Sequence, residues 1–184
     1  MSETPVPEIS VCIPLYDEEA VVPELVRRVR EAAEGAKLDW ELVLVDDGSR
    51  DRTWEIVREE GEKDPRVRGV RLSRNFGLQA AATCALRCAR GRAAVLMDGD
   101  LQDPPEMIPE MVERWRGGAE VVYTVKTERD ERPLRKLCFS VFHRLFRRLA
   151  GPEMVPGAGL FSLMDRRALA AMLGILSVRL FSKM

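Results

Sequence analysis

No run of about 18 consecutive apolar residues occurs, so no segment reads as a membrane-spanning helix. The first residues, 1–8, are polar and Pro-rich without an apolar core, which excludes a signal peptide and leaves a flexible tail. A cytoplasmic chain is the expectation. Net charge is also lacking: 29 Lys and Arg against 30 Asp and Glu leave −1, so no global field recruits nucleic acid. Any charged partner must be met locally. There is no Cys-x-x-Cys pair; Cys12, Cys84, Cys88 and Cys138 lie in apolar segments and read as buried thiols in a reducing compartment. Internal repeats and low-complexity runs are absent. What remains is ordinary: 184 residues, 46% hydrophobic and 32% charged, suit one soluble domain with a sizeable core.

The chain is organised around Ala93–Glu106. Ala93 to Met97 are five apolar residues bounded by Asp and Gly, too few for a typical helix, and predict a fully buried strand of a parallel sheet. Such a strand delivers its C-terminal residues to the ligand crevice. Those residues are Asp98, Gly99 and Asp100, then Gln102, with Pro104 and Pro105 suited to the first turn of the next helix. Two carboxylates one residue apart converge only when their charge is compensated, and Mg2+ or Mn2+ bridging a diphosphate is the usual compensation. The competing reading is an acidic turn that caps a helix.

In chain order, Ile9 to Pro14 predicts a first strand, followed by a polar loop and a helix from about residue 20 to 33. Asp17, Glu18 and Glu19 suit the positive end of that helix, and capping is the simpler reading for two of the three. Tyr16 stands where a ring can stack on a planar base, or can equally be a core tyrosine. Trp40 to Val45 predicts a second strand ending in Asp46 and Asp47, with Ser49 or Asp51 capping a helix from about 51 to 62. One of the two Asp residues caps; the other can accept from a base edge or ribose hydroxyls. A third strand (67–72), a helix over 79–90 stopped by Gly91, a helix from 104 to about 116 stopped by Gly117 and Gly118, and a strand over 120–125 complete the alternation. Repeated strand–helix alternation predicts right-handed βαβ units in a mostly parallel sheet. The acids after the second and fourth strands and the Tyr16 loop then share one sheet edge, where a nucleotide and a metal would sit.

From Pro133 to Ala150 apolar residues recur at helical spacing while Arg135, Lys136, Arg144, Arg147 and Arg148 lie on the opposite face. This basic amphipathic helix suits an anionic membrane surface, or packs on the core with a solvated basic face. His143, the sole histidine, borders the basic face and reads as a bystander.

Four spaced motifs, Ile13–Glu19, Val45–Ser49, Arg74–Gly77 and Met97–Glu106, resemble family 2 glycosyltransferases, more narrowly the polyprenyl-phosphate (dolichyl-phosphate mannosyltransferase-like) sugar transferases. The resemblance implies an α/β GT-A fold, a mostly parallel sheet flanked by helices, with a C-terminal basic amphipathic helix. It implies inverting transfer of a sugar from a nucleotide diphosphate donor to a polyprenyl phosphate. Pro14, Tyr16, Glu18, Val45, Asp46, Asp47, Asp98 and Gly99 would surround the nucleotide sugar. Asp98, Asp100 and Gln102 would hold Mg2+ or Mn2+, and Asp100, Lys126 and Arg129 would serve catalysis. The implied layout is a nucleotide-sugar domain over 9–130, an interfacial helix over 131–150 that meets the membrane through 133–150, and a divergent, truncated segment over 151–184. The expected location is peripheral, at the cytoplasmic membrane face; self-association is left open.

The chain departs from that family at Gly157–Leu163, where members read roughly Asp-x-Gly-Asp-Phe-Arg-Leu and both acids and the arginine are missing here. Leu78 and Ala85 also replace a more usual polar residue and Gly. A relative that binds donor and metal without transferring is therefore the alternative to an enzyme. A receiver-like phosphoacceptor domain explains neither Tyr16, Gln102 nor the Pro104–Pro105 helix start.

Overall fold

The computed structural model describes residues 6–125 and 158–181. Strands β1 (Ile9–Leu15) and β2 (Trp40–Asp46) are buried along their whole length, as near-continuous apolar runs covered on both faces must be. With β3 (Val67–Arg71), β4 (Ala93–Leu96), β5 (Val121–Val125) and β6 (Ala158–Asp165) they form one six-stranded sheet in the order β3-β2-β1-β4-β6-β5. The pairs β1–β2, β1–β4 and β2–β3 are parallel, while β4–β6 is antiparallel. The helices are α1 (Val22–Gly35), α2 (Thr53–Lys63), α3 (Leu78–Cys88), α4 (Ile108–Arg116) and α5 (Arg166–Phe181). A 3-10 turn, Pro105–Met107, precedes α4.

Because successive strand residues point to opposite faces, the sheet separates two cores. Ile9, Val11 and Ile13 of β1 join Val22 and Leu25 of α1, Val57 of α2 and Ile108 of α4. Cys12 of β1 and Val43 and Val45 of β2 instead meet Ala81, Ala82 and Ala85 of α3 and Leu169 of α5. The small residues of α3 let that helix lie close to the sheet. Val45, expected beside the nucleotide, is fully buried in this second core.

Four sequence expectations change. Helix α3 ends at Cys88, with Ala89 extended, so Gly91 does not stop it. A Cβ at Gly91 would stand 2.6 Å from Ile9 C and Ser10 N, so the residue permits strand entry beside β1. Neither Ser49 nor Asp51 is the N-cap of α2: Arg52 occupies that position, although Asp51 Oδ1 still accepts from Thr53 N at 3.0 Å. Residues 158–165, expected only as part of a divergent segment, add β6 between β4 and β5, with Phe161 and Leu163 fully buried. Helix α1 starts at Val22, two residues later than expected, while the Gly117–Gly118 stop of α4 stands.

The chain forms two compact units, residues 1–122 with 160–184, and residues 123–159. Lys126, Arg129 and the amphipathic segment 131–150 lie outside the described residues. Among the described residues no helix is long and apolar enough to cross a membrane. Described cysteines Cys12, Cys84 and Cys88 are free, and burial pushes the Cys12 thiol far up.

On the α1–α2 side, Asp64 at the end of α2 ties α1 to β3. Its Oδ1 accepts from Arg66 N and Nε, each at 3.0 Å, and its Oδ2 from Arg66 Nη2 at 2.9 Å and Arg30 Nε at 3.2 Å. The Arg66 guanidinium holds the Asp64 carboxyl down at about 2, against an ordinary 3.8. A depressed folded-state pKa stabilises the fold above the unfolded value, and this contribution disappears as pH falls through the folded one. Asp64→Asn is expected to lower unfolding free energy by roughly 1–2 kcal/mol at pH 7. In urea melts at a series of pH values, the gap between variant and parent should close between pH 4 and pH 2.

Candidate functional site

Three loops leave the C-terminal ends of β1, β2 and β4 at one sheet edge, and a fourth turn, Arg74–Gly77, follows β3 there. The first two loops are bonded in both directions. Asp17 N donates to Ser49 Oγ at 2.9 Å, Glu18 N to Thr53 Oγ1 at 2.8 Å and Glu19 N to Asp51 Oδ2 at 3.0 Å. In return Arg50 N donates to Asp17 Oδ1 at 2.7 Å and Arg52 N to Glu19 Oε2 at 2.9 Å. Asp17 and Glu19 are thus cappers, but of the start of α2 rather than of their own helix, where the exposed amides lie. Asp17 adopts φ +54° to reach this arrangement.

The paired acids of β2 divide similarly. Asp46 is fully buried; its Oδ1 accepts from Ser49 N at 3.0 Å, and Arg71 Nε stands 3.2 Å from Oδ2 without hydrogen-bond geometry. Asp47 turns to the β3–α3 side: its Oδ1 accepts from Phe76 N and its Oδ2 from Gly77 N, both at 2.8 Å. Gly48, at φ +68°, completes the junction, since a Cβ there would lie 2.5 Å from Arg74 C. At the β4 end, Gly99 has the same function. A Cβ on it would meet Leu15 Cδ2 at 2.5 Å and Pro14 O at 3.2 Å, so the glycine lets the Asp98–Asp100 turn lie close against the first loop. Leu101, next in the chain, is held at φ +59° and packs on the core.

These loops enclose a cavity of about 350 Å³. Pro14, Tyr16, Glu18, Asp47, Asp98, Gly99 and Asp100 line it, so the structure brings most of the expected donor-site residues together. Asp46, Val45 and Gln102 do not line it; Gln102 is exposed and donates its N–H to Asp100 Oδ1 at 3.0 Å. Asn75, Leu78 and Ala81 line it without having been expected. Their signal was topological: a turn after β3 must open on the same edge as Asp47.

Four of the lining residues, Glu18, Asp47, Asp98 and Asp100, are acids, and among the described residues no Lys, Arg or His lines the cavity. Burial, followed by the charges of Asp100, Asp51, Asp17 and Asp98, raises the Glu18 carboxyl above its ordinary value. Among the described residues no group of three His, Cys, Asp or Glu side chains forms a complete metal cage. Mg2+ or Mn2+ at a substrate site takes one or two protein carboxylates, with waters and the substrate's own phosphates completing the coordination. The hard oxygens of Asp98 and Asp100, in a cavity whose described lining is acidic, suit such a cation.

A family model described as glycosyl transferase family 2 matches residues 10–173. The chain is 44% identical over 161 residues to the uncharacterized glycosyltransferase YkcC of Bacillus subtilis, covering 87% of this chain and 50% of that protein. It is 42% identical over 137 residues to an undecaprenyl-phosphate 4-deoxy-4-formamido-L-arabinose transferase of Pseudomonas aeruginosa, covering 74% of this chain and 40% of that one. The chain therefore spans about half the length of the curated relatives it matches, or less. Among solved structures, a mannosyltransferase from Pyrobaculum calidifontis in complex with GDP-Man and Mn2+ superposes with TM-score 0.62 at 24% identity, over 92% of this chain and 47% of its own. Glucosyl-3-phosphoglycerate synthase from Mycobacterium tuberculosis, in complex with UDP, superposes with TM-score 0.64 at 22% identity, over 88% of this chain and 57% of its own. These likenesses give the fold, which is GT-A. By its family model and its relatives, the chain belongs to glycosyl transferase family 2.

Proposed function

We propose that this chain is the donor-binding part of an inverting sugar transferase that moves a sugar from a nucleotide diphosphate to a polyprenyl phosphate. The observation that carries this reading is the charge of the cavity: among the described residues, four acidic and no basic side chains line the place a diphosphate would occupy. An anion of that kind binds beside carboxylates only with a cation between them. Asp98 and Asp100 would hold Mg2+ or Mn2+, with exposed Gln102 next to them. The bound ion would neutralise the leaving diphosphate, the Lewis-acid role metals play at phosphoryl oxygens.

The protein's own residues supply position. Pro14 and the half-exposed Tyr16 ring form the wall against which a planar base can pack, and Glu18 offers a carboxylate acceptor beside them. A phosphate monoester acceptor, with a second pKa of about 6, is already anionic at neutral pH and requires no strong general base. One of its oxygens attacks the anomeric carbon as the bond to the diphosphate oxygen breaks, which inverts that centre. Asp100, Lys126 and Arg129 are proposed to serve this step, the last two by steering anionic phosphate. The basic segment 133–150 is proposed to rest on the cytoplasmic membrane face, where the lipid acceptor is found. The relative named as an undecaprenyl-phosphate sugar transferase supports this acceptor class.

A second reading, donor binding without transfer, is favoured by one observation. The stretch that departs from the family's acidic motif forms core strand β6, with Phe161 and Leu163 fully buried. Transfer of radiolabelled sugar to a short polyprenyl phosphate separates the two: labelled lipid is the expected result, and donor binding without labelled lipid would establish the second.

Asp100→Ala is expected to weaken metal-dependent donor binding at least about tenfold, the loss of one charged contact, and to leave the melting temperature unchanged because Asp100 is exposed. Isothermal titration with UDP- and GDP-sugars in Mn2+ checks this. Chelation of divalent ions should reduce donor binding in the parent protein to the level of that variant.

A further inference from the structure

We propose that Asn75 is the side chain that reads the donor's nucleoside, and that Asp47 is the positioning residue that presents it. This rests on the donor-site reading above and extends it to residues outside the expected set.

The sheet order places β1 between β4 on one side and β2 and β3 on the other. Asp98 and Asp100 follow β4, so a diphosphate held there leaves the rest of the donor to run along the edge. In doubly wound sheets the nucleoside lies over the first strands, and the end of the second strand approaches the ribose. On that side the cavity is lined by Asp47, Asn75, Gly77 and Leu78.

Of these, Asp47 is already engaged. Both its oxygens accept backbone N–H groups at 2.8 Å, from Phe76 and Gly77. It is buried, 2% exposed, and stands at the N-terminal end of α3, where a carboxylate is favoured by the helix dipole. Its principal partner is the turn, not a ligand. Asn75 immediately precedes the two anchored amides, is exposed, and lines the cavity. Among the described residues its carboxamide has no hydrogen-bond partner, so its donor and its acceptor are both available. A carboxamide matches the paired donor and acceptor of a base edge, whereas the neighbouring Leu78 and Ala81 can offer only apolar contact. Gly48 and Gly77, at φ +68° and +92°, allow the turn to take this form. Asp47 therefore fixes the backbone on both sides of the Phe76 peptide, and with it the direction of Asn75.

The test uses the 184-residue chain with Mn2+ and the diphosphates UDP, GDP, CDP and ADP, titrated calorimetrically. The parent should favour one base. Asn75→Ala should weaken the favoured diphosphate about tenfold, the cost of one unpaired hydrogen-bonding edge, and bring the four affinities closer together. Asp47→Asn should weaken all four, speed amide hydrogen exchange at Phe76 and Gly77 and lower the melting temperature, whereas Asn75→Ala should leave the melting temperature unchanged. A change in base preference without faster exchange would instead make Asp47 a direct ligand and overturn its positioning role. Unchanged affinity and selectivity in Asn75→Ala, with the parent still binding, would overturn this inference alone. No binding of any diphosphate by the parent would overturn the donor-site reading with it.

Discussion

Backbone amides at the start of α2 and α3 compete for the acids of the sheet edge, and the outcome decides which carboxylates remain for a ligand. Arg50 N and Arg52 N take Asp17 and Glu19, Ser49 N takes Asp46, and Phe76 N and Gly77 N take Asp47. Each is a charge-assisted bond at a helix start or in a tight turn, where an unpaired amide would be costly. The other acids that line the cavity are Glu18, Asp98 and Asp100, the last of which also accepts from Gln102 N at 3.0 Å. The same bonds that assign the acids hold the loops of β1, β2 and β3 as one surface, so the site has its shape before any ligand arrives.

That surface has an electrostatic consequence. Burial, and after it the surrounding acids, push Glu18 above its ordinary pKa, the direction in which further negative charge at the cavity is disfavoured. A diphosphate is negative charge. The two requirements are compatible when a cation enters with the anion, and the turn carrying Asp98 and Asp100, which lies close against the first loop at Gly99, is the place proposed for it. Metal and donor should therefore bind as a pair, each improving the other's affinity by the same factor.

Much of this was legible in the sequence because period and punctuation carry it. The buried strands, the Asp-Gly-Asp turn and the edge on which the loops gather follow from apolar runs that stop at acids. Asp46 and Asp47 could not be told apart, since adjacent residues of one type carry no record of which amide each will meet. Asn75 was hidden for a related reason: its place at the cavity depends on Asp47, 28 positions earlier in the chain. Strand β6 was missed because Gly159–Leu163 was read against a motif rather than for its alternation, in which Phe161 and Leu163 enter one core and Met164 the other. Gly91 resembles a helix stop in sequence, yet its small size serves the contact with Ile9 and Ser10.

Electron paramagnetic resonance of Mn2+ titrated into the protein, with and without UDP or GDP, tests the pairing of metal and donor most directly. Weak Mn2+ binding by the protein alone, tightened at least about tenfold by one of the two diphosphates, is the predicted result. Mn2+ affinity that neither diphosphate changes would contradict it, and with it the assignment of Asp98 and Asp100 as the place where donor and metal meet.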